Sequence, residues 1–393
     1  MKKILIYNPS DSIPTFIQIL IKALSDGNHV FVISKTNSTK LNDSNIEQFS
    51  LGSSVNKFSY IVNAIKIHIR SFIINPKKFI EIIFKKWFQK ISISRKIKES
   101  NILNLVSIIN PDIIHIQWVS QIVDFESIIS EHKIVVSLRG RLINVTPKAN
   151  PKIKELYQKV FPSISQFHAV SNSIKKEGLK YGAISKKTDV IYSAIEFEIL
   201  DKVSRNSFSK NNNIEIISVG RFNWKKGYNY AIDAIKILLK KGYDINYTVI
   251  AGQYDEEILY MINDSKINNN VDLVDKMKQT DVFKKIKESD IFFLPSVEEG
   301  IANVVYESMG LKTLVVSSDC CGMGEIIKNN ETGFLFKNRD VNDMVHKIET
   351  CIRLNEKNKS NIINNAYTLV KSEHNVKLLS KKMNELYEKV LQS

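Results

Sequence analysis

The stretch Ser296-Val-Glu-Glu-Gly-Ile-Ala-Asn-Val-Val-Tyr-Glu307 lies between two short apolar runs, Ile291-Phe-Phe-Leu294 and Thr313-Leu-Val-Val316. Short, continuously apolar runs bounded by turn residues read as strands buried on both faces of a parallel sheet. The spacing predicts a strand from Asp290 to Leu294, a loop at its carboxyl end over Glu298 to Ala302, and a helix capped by Asn303 with Glu307 near its first turn. Open α/β sheets bind ligands at that end of their strands. Gly300 and Ala302 let the backbone come close to a ligand, and the free N–H groups of a helix start favour an anion such as a diphosphate. Glu299 and Glu307 bracket that position, and a carboxylate is a strong acceptor for sugar hydroxyls. A nucleotide sugar has this layout: sugar, diphosphate, ribose. A solvated acidic loop with an ordinary surface acid would carry the same letters, so this stretch alone leaves both readings open.

A second stretch has the same form with the opposite charge. Ile214-Glu-Ile-Ile-Ser-Val219 reads as a strand, Gly220-Arg-Phe-Asn-Trp-Lys-Lys-Gly227 as a glycine-bounded loop, and Ile232, Ile235, Leu238 and Leu239 as one face of a helix. The loop carries Arg221, Lys225 and Lys226. Fixed cations beside a diphosphate stabilise it as a leaving group, the main electrostatic task in transfer from a nucleotide donor.

Together, Val-Gly-Arg-x4-Lys-Gly and, about seventy residues later, Glu-Gly-x6-Glu resemble the C-terminal half of retaining GT-B glycosyltransferases, the glycosyltransferase family 4 group (glycosyl transferases group 1). The resemblance extends through Ser318-Asp-Cys-Cys-Gly-Met-Gly-Glu-Ile-Ile327, similar to an Asp-x-Gly-Gly-x-x-Glu segment, and Glu331-Thr-Gly-Phe-Leu-Phe336. It implies that Arg221 and Lys226 hold the donor diphosphate, that Glu299 contacts the transferred sugar and Glu307 the ribose, and that Gly220, Gly300, Ile301, Ala302 and Asn303 complete the donor site. It also implies retention of anomeric configuration, with no cofactor and no metal. The implied fold is α/β, GT-B: two Rossmann-like doubly wound parallel-sheet domains facing an interdomain cleft. Residues 1–203 would bind the acceptor, completed by a C-terminal helix at about 373–393, and residues 204–372 would bind the nucleotide sugar. Two departures stand out. The loop reads Glu-Gly-Ile-Ala-Asn where many members have Glu-Gly-Phe-Gly, and Val190-Ile-Tyr-Ser-Ala-Ile-Glu196 replaces a usual Asn-Gly-Val-Asp.

Length and composition fit this expectation. A chain of 393 residues suits two domains. No run of eighteen apolar residues predicts a membrane-crossing helix. Met1-Lys-Lys-Ile-Leu-Ile-Tyr7 reads as a first strand rather than a signal peptide. Three cysteines, two of them adjacent, indicate neither a disulfide framework nor a metal site and suit the cytosol.

The net charge of +15 calls for a polyanionic neighbour. Residues 57–99 hold eleven lysines and arginines against two glutamates, a local net of +9. Phe58, Ile61, Ile65, Ile69 and Phe72, then Phe79, Ile83, Trp87 and Ile91 beyond Pro76, are spaced for two amphipathic helices. Wide apolar faces flanked by lysine describe helices that lie on an anionic membrane; the alternative is a pair of helices covering the first sheet. Nucleic acid is not expected as a partner, since no helix-turn-helix, zinc or ribonucleoprotein-type signature is present.

Lys3 to Tyr7 and His29 to Ser34 read as strands around a helix, with no Gly-x-Gly-x-x-Gly between them. Ser10 in the first loop is a candidate contact to acceptor or donor, an ordinary connecting loop being the alternative. Pro111 to Trp118 and Lys133 to Ser137 read as further strands, His115 as structural, and Arg139, at a strand's carboxyl end, as a candidate for an acceptor or donor phosphate. Ser171 or Ser173 is the expected cap of the next helix, and Asp201 to Asn213 the expected linker.

The expected protein is a cytoplasmic, retaining glycosyltransferase, peripheral on the inner face of the cytoplasmic membrane, moving a sugar from a nucleotide donor to a lipid-linked or surface-glycan acceptor as in capsule, exopolysaccharide or lipopolysaccharide assembly. A GT-B protein that binds a nucleotide sugar without turnover, and a basic nucleic-acid-binding protein, are the alternatives.

Overall fold

The computed structural model describes residues 1–52, 57–88, 91–203, 213–252 and 255–392. The expected linker falls largely on 204–212, outside the described residues. The chain divides into two compact units. The first comprises residues 1–170, 175–191 and 379–393, the second 171–174 and 192–378.

The first unit is built on strands β1 (Lys2–Tyr7), β2 (Asn28–Ser34), β3 (Ile46–Ser50), β4 (Ile113–Ile116), β5 (Ile134–Leu138), β6 (Gln166–Ala169) and β7 (Thr188–Val190). They pair in parallel in the order β3-β2-β1-β4-β5-β6-β7. The order reverses between β1 and β4, the switch point at which such sheets open a crevice at their carboxyl ends. His115 lies in this core. Its Nδ1 is 2.7 Å from the Tyr387 hydroxyl and its Nε2 2.9 Å from Ser137 Oγ, which in turn lies 3.0 Å from His168 Nδ1. Burial lowers the pKa of both rings, that of His168 to about 3, so they stay neutral members of a structural network.

The basic stretch forms the helices Lys57–Ile74 and Pro76–Trp87, which pack on the helix Ile93–Ile109. Their inward face is narrow and mixes apolar, small and polar side chains. Ala64, Ile67, Ser71, Ile82 and Lys86 are buried, Ser71 donating to Asn104 at 2.6 Å and Lys86 pairing with Glu99 at 2.6 Å. The apolar stripe faces out: Phe58, Ile61, Ile65, Ile69 and Phe72 remain 50% to 77% exposed. The first helix's stripe therefore does not cover the first sheet, because the third helix takes the opposite face; Phe79 and Ile83 of the second helix are half-buried and Trp87 is exposed.

The second unit carries β8 (Ile214–Val219), β9 (Ile245–Ile250), β10 (Val271–Val274), β11 (Ile291–Leu294), β12 (Leu314–Ser318) and β13 (Phe334–Phe336), all parallel, in the order β10-β9-β8-β11-β12-β13. Alternation along β11 shows why its run is wholly apolar. Ile291 and Phe293 enter the core beside the helices Tyr228–Lys240 and Val341–Ile352, and Phe292 and Leu294 enter the core beside Asn303–Gly310. Burying each such side chain contributes about 1.5–3 kcal/mol.

Candidate functional site

The second sheet reverses order between β8 and β11, and the two stretches that decided the sequence reading follow those strands. The backbone N–H of Val297 donates to the Lys225 carbonyl at 2.7 Å, tying the two loops together. A turn at Trp224–Lys226, capped by the Asn223 side chain, ends at Gly227 with φ +67°, and a Cβ there would strike the Pro295 carbonyl. Gly220 has φ +151°, and a Cβ on it would lie 2.8 Å from Lys226 Cε. Gly227 is thus fixed by close approach as well as by backbone conformation, and Gly220 by its conformation.

The loops bring Lys226 and Glu299 into a 2.7 Å ion pair with side chains only 14% and 13% exposed, and Lys225 Nζ lies 3.9 Å from the same oxygen. The cation and the carboxylate expected on opposite parts of a donor are therefore partners in the free protein. Arg221 is exposed and makes no ion pair among the described residues. Gly300 is buried and its carbonyl accepts from Gly322 N at 2.9 Å.

The helix after the acidic loop spans Asn303–Gly310. Its cap position is Ala302, extended at φ −75° and ψ 122°, with no side-chain hydrogen bond. This corrects the expectation that Asn303 caps the helix: Asn303 is already helical, and among the described residues no side chain is seen to cap the first turn. Glu307 lies a full turn into the helix, away from the Lys226–Glu299 pair, and its carboxylate accepts from Gln279 Nε2 at 3.4 Å. Desolvation pushes its pKa up to about 7, the Gln279 hydrogen bond opposing.

Glu325, inside the Cys-Cys-Gly segment's motif, has a role that local spacing did not reveal. It accepts from Asn172 N at 2.8 Å, Ser173 N at 2.9 Å and Tyr192 Oη at 2.9 Å, holding the start of the helix Asn172–Leu179, which Ser171 caps. Cys321 adopts φ +50°, which accounts for the glycine that the resembling pattern has at this place. Among the described residues, no group of three or more His, Cys, Asp and Glu is placed to hold a metal ion.

Ser10 and Arg139 belong to the first unit. Ser10 follows β1, its Oγ donating to Asn8 Oδ1 at 3.3 Å. Arg139 follows β5; its Nη2 lies 3.3 Å from Gln117 Oε1 and its guanidinium 4.9 Å from the Phe16 ring centroid.

With the geometry in place, comparison with known proteins shows what the second unit is similar to. Residues 201–388 match the model for glycosyl transferases group 1. The glycosyl transferases group 1 match spans both loops and Glu307. Amylovoran biosynthesis glycosyltransferase AmsK of Erwinia amylovora is 30% identical over 189 residues, 46% of each chain. The N,N'-diacetylbacillosaminyl-diphospho-undecaprenol alpha-1,3-N-acetylgalactosaminyltransferase of Campylobacter jejuni is 24% identical over 254 residues, 61% of this chain and 65% of that one. The chain spans about half the length of the first curated relatives it matches. Anabaena HepE, solved with UDP and glucose, superposes with a TM-score of 0.73 at 16% identity, covering 99% of this chain and all of that one. The two parallel-sheet α/β units and these neighbours make the fold GT-B.

Proposed function

We propose that the protein is a retaining glycosyltransferase that moves a sugar from a nucleoside-diphosphate sugar to a hydroxyl of a lipid-linked or surface-glycan acceptor. The observation that carries this reading is the shielded Lys226–Glu299 pair at the second sheet's switch point, beside a helix whose first amides lack a side-chain cap. Lys226, Arg221 and those amides take the diphosphate, Glu299 takes hydroxyls of the sugar, and Glu307 those of the ribose. In the reaction the bond from the anomeric carbon to the diphosphate oxygen breaks and a bond to the acceptor oxygen forms on the same face. The acceptor proton passes to the departing diphosphate oxygen. The chemistry needs no protein base and no metal.

The exposed apolar stripe and its lysines support a position on an anionic membrane, at the inner face of the cytoplasmic membrane where lipid-linked acceptors are met. No helix among the described residues is long and apolar enough to cross a bilayer.

A thermal-shift and calorimetric panel of UDP, GDP, ADP, CMP and their sugars, run beside Glu307→Ala, tests the donor site. One nucleoside diphosphate should stabilise the protein, and the variant should lose that shift. No shift with any nucleotide in folded protein removes the proposal. Binding without turnover over a broad acceptor panel favours the non-catalytic alternative.

A further inference from the structure

The first sheet has a switch point of its own, and its polar groups are incomplete there. Asn8, Gln117 and Arg139 each follow directly on the last residue of β1, β4 and β5, three neighbouring strands. One hydrogen-bond donor on each is buried with no partner among the described residues: Asn8 Nδ2, Gln117 Nε2 and Arg139 Nε. The rest of each side chain is held in place. Asn8 Oδ1 accepts from Trp118 Nε1 at 2.7 Å, and Gln117 Oε1 accepts from Arg139 Nη2 at 3.3 Å. Arg139 has no carboxylate within ion-pair distance among the described residues; burial lowers its pKa to about 10, and the nearest rings are the neutral His115 and His168 and the face of Phe16. A half-buried guanidinium without a carboxylate partner, at the ends of three neighbouring strands with two buried, unpartnered amide donors, is an unfilled anion site, since buried donors are satisfied in nearly all folded proteins.

An apolar cavity begins one residue away. It holds about 650 Å³, within the usual range of ligand pockets, about 300–1,000 Å³. Pro9, next to Asn8, lines it, with Tyr60, Ile61, Ile93 and Ile97 as its apolar wall and Lys35 and Lys98 as its cations. Lys35 and Lys98 are already matched by Asp11 and Asp124, which leaves Arg139 as the group seeking an anion. Ile61 belongs both to the cavity wall and to the exposed stripe, and Ile93 is 74% exposed, so the cavity opens onto the apolar surface.

We infer that the first unit binds a lipid phosphate, its phosphoryl group on Arg139, Asn8 and Gln117 and its hydrocarbon in the cavity between the helices Lys57–Ile74 and Ile93–Ile109. For its place as acceptor this rests on the transferase reading; for the binding itself it does not. Free phosphate shares the head-group chemistry but has nothing to fill the cavity.

The test is calorimetry of the full-length protein with farnesyl phosphate, inorganic phosphate and farnesol. Wild type should bind farnesyl phosphate about 10-fold or more tighter than either fragment, and Arg139→Gln should lose about 10-fold or more of that affinity, the effect of one charge-assisted contact. Ile61→Asp, at a half-exposed position, should reduce farnesyl phosphate to the level of inorganic phosphate. Lys226→Met should leave farnesyl phosphate binding unchanged, and Arg139→Gln should leave nucleoside diphosphate binding unchanged. Equal wild-type binding of farnesyl phosphate and inorganic phosphate overturns the inference, whatever the variants do. So does an Arg139→Gln protein that binds farnesyl phosphate as wild type does. If no nucleotide binds but farnesyl phosphate does, the transferase reading falls and the lipid phosphate site stands.

Discussion

Replacing Lys226 by Met separates what the Lys226–Glu299 pair does for the fold from what it does for the ligand. Met keeps the apolar stem and removes the charge, leaving Glu299 with the more distant Lys225 at 3.9 Å. Both side chains of the pair are about seven-eighths shielded, so the interaction lies well above a surface ion pair, about 0–1 kcal/mol, and below a fully dry one. Stranding a largely buried carboxylate costs about 1–3 kcal/mol, and losing a charge-assisted contact to a diphosphate about 1.5–3 kcal/mol, which is about 10- to 150-fold in affinity. Urea unfolding and calorimetry with the nucleoside diphosphate found in the panel measure the two quantities independently. Adding Glu299→Gln to Lys226→Met should recover most of the lost stability, because no charge is then stranded, without recovering nucleotide affinity. The reasoning is refuted if Lys226→Met binds the nucleotide as wild type does, or if the double variant is no more stable than the single one.

Gly220→Ala should cost about 1–3 kcal/mol for a side chain at φ +151° and displace Lys226, whose Cε lies 2.8 Å from the new Cβ; unfolding and nucleotide titration should shift together. Glu307, with its pKa pushed up to about 7 by burial, accepts ribose hydroxyls fully only as the carboxylate, so nucleoside diphosphate affinity should decline as pH falls through 7 and Glu307→Gln should flatten the profile. Stability moves the other way: the folded pKa exceeds the unfolded value, the cost of the buried charge is present above 7, and it is relieved on acidification. Glu325→Gln turns an N–H donor toward backbone N–H groups and should cost about 1–3 kcal/mol, with faster hydrogen exchange at Asn172 and Ser173. Ile65→Asp with Phe72→Asp should abolish sedimentation with anionic vesicles while changing stability by no more than about 1 kcal/mol, since both side chains are at least half exposed.

Much of the second unit was legible because parallel strands buried on both faces are spelled as unbroken apolar runs. Ile291 to Leu294 needed no long-range information to be placed, Ile214 to Val219 was recognised despite Glu215 and Ser218, and the loops that follow them had to meet once the strands paired. The same local reading misplaced the helix cap at Asn303, because a good capping residue also tolerates the first helical position and the geometry of the tight loop before it decided the matter. Periodicity found both basic helices but not which face turns inward. That choice was made by the helix Ile93–Ile109, whose Asn104 and Glu99 recruit Ser71 and Lys86, with Ile67 and Ile82 buried on the same face. The partner of Glu325 lies 153 residues away, beyond the reach of any motif. Asn8 and Gln117 did carry a signal, a polar side chain immediately after an apolar strand run at adjacent sheet positions, but it becomes visible only when β1 and β4 are known to be neighbours.

The helix Val376–Gln392 sends Leu379, Met383, Leu386, Tyr387 and Val390 into the first unit's core, with the Tyr387 hydroxyl against His115. During synthesis the chain emerges from its N-terminus, and domains usually complete themselves in that order. Here the strands of the first unit wait for residues made after the second unit, so the first unit stays open to solvent along one side while the second unit is translated and folds. A nascent chain stalled between Phe336 and Leu379 should therefore hold a finished second sheet and an unfinished first one, a state that invites chaperone binding and is cleared only when this helix arrives.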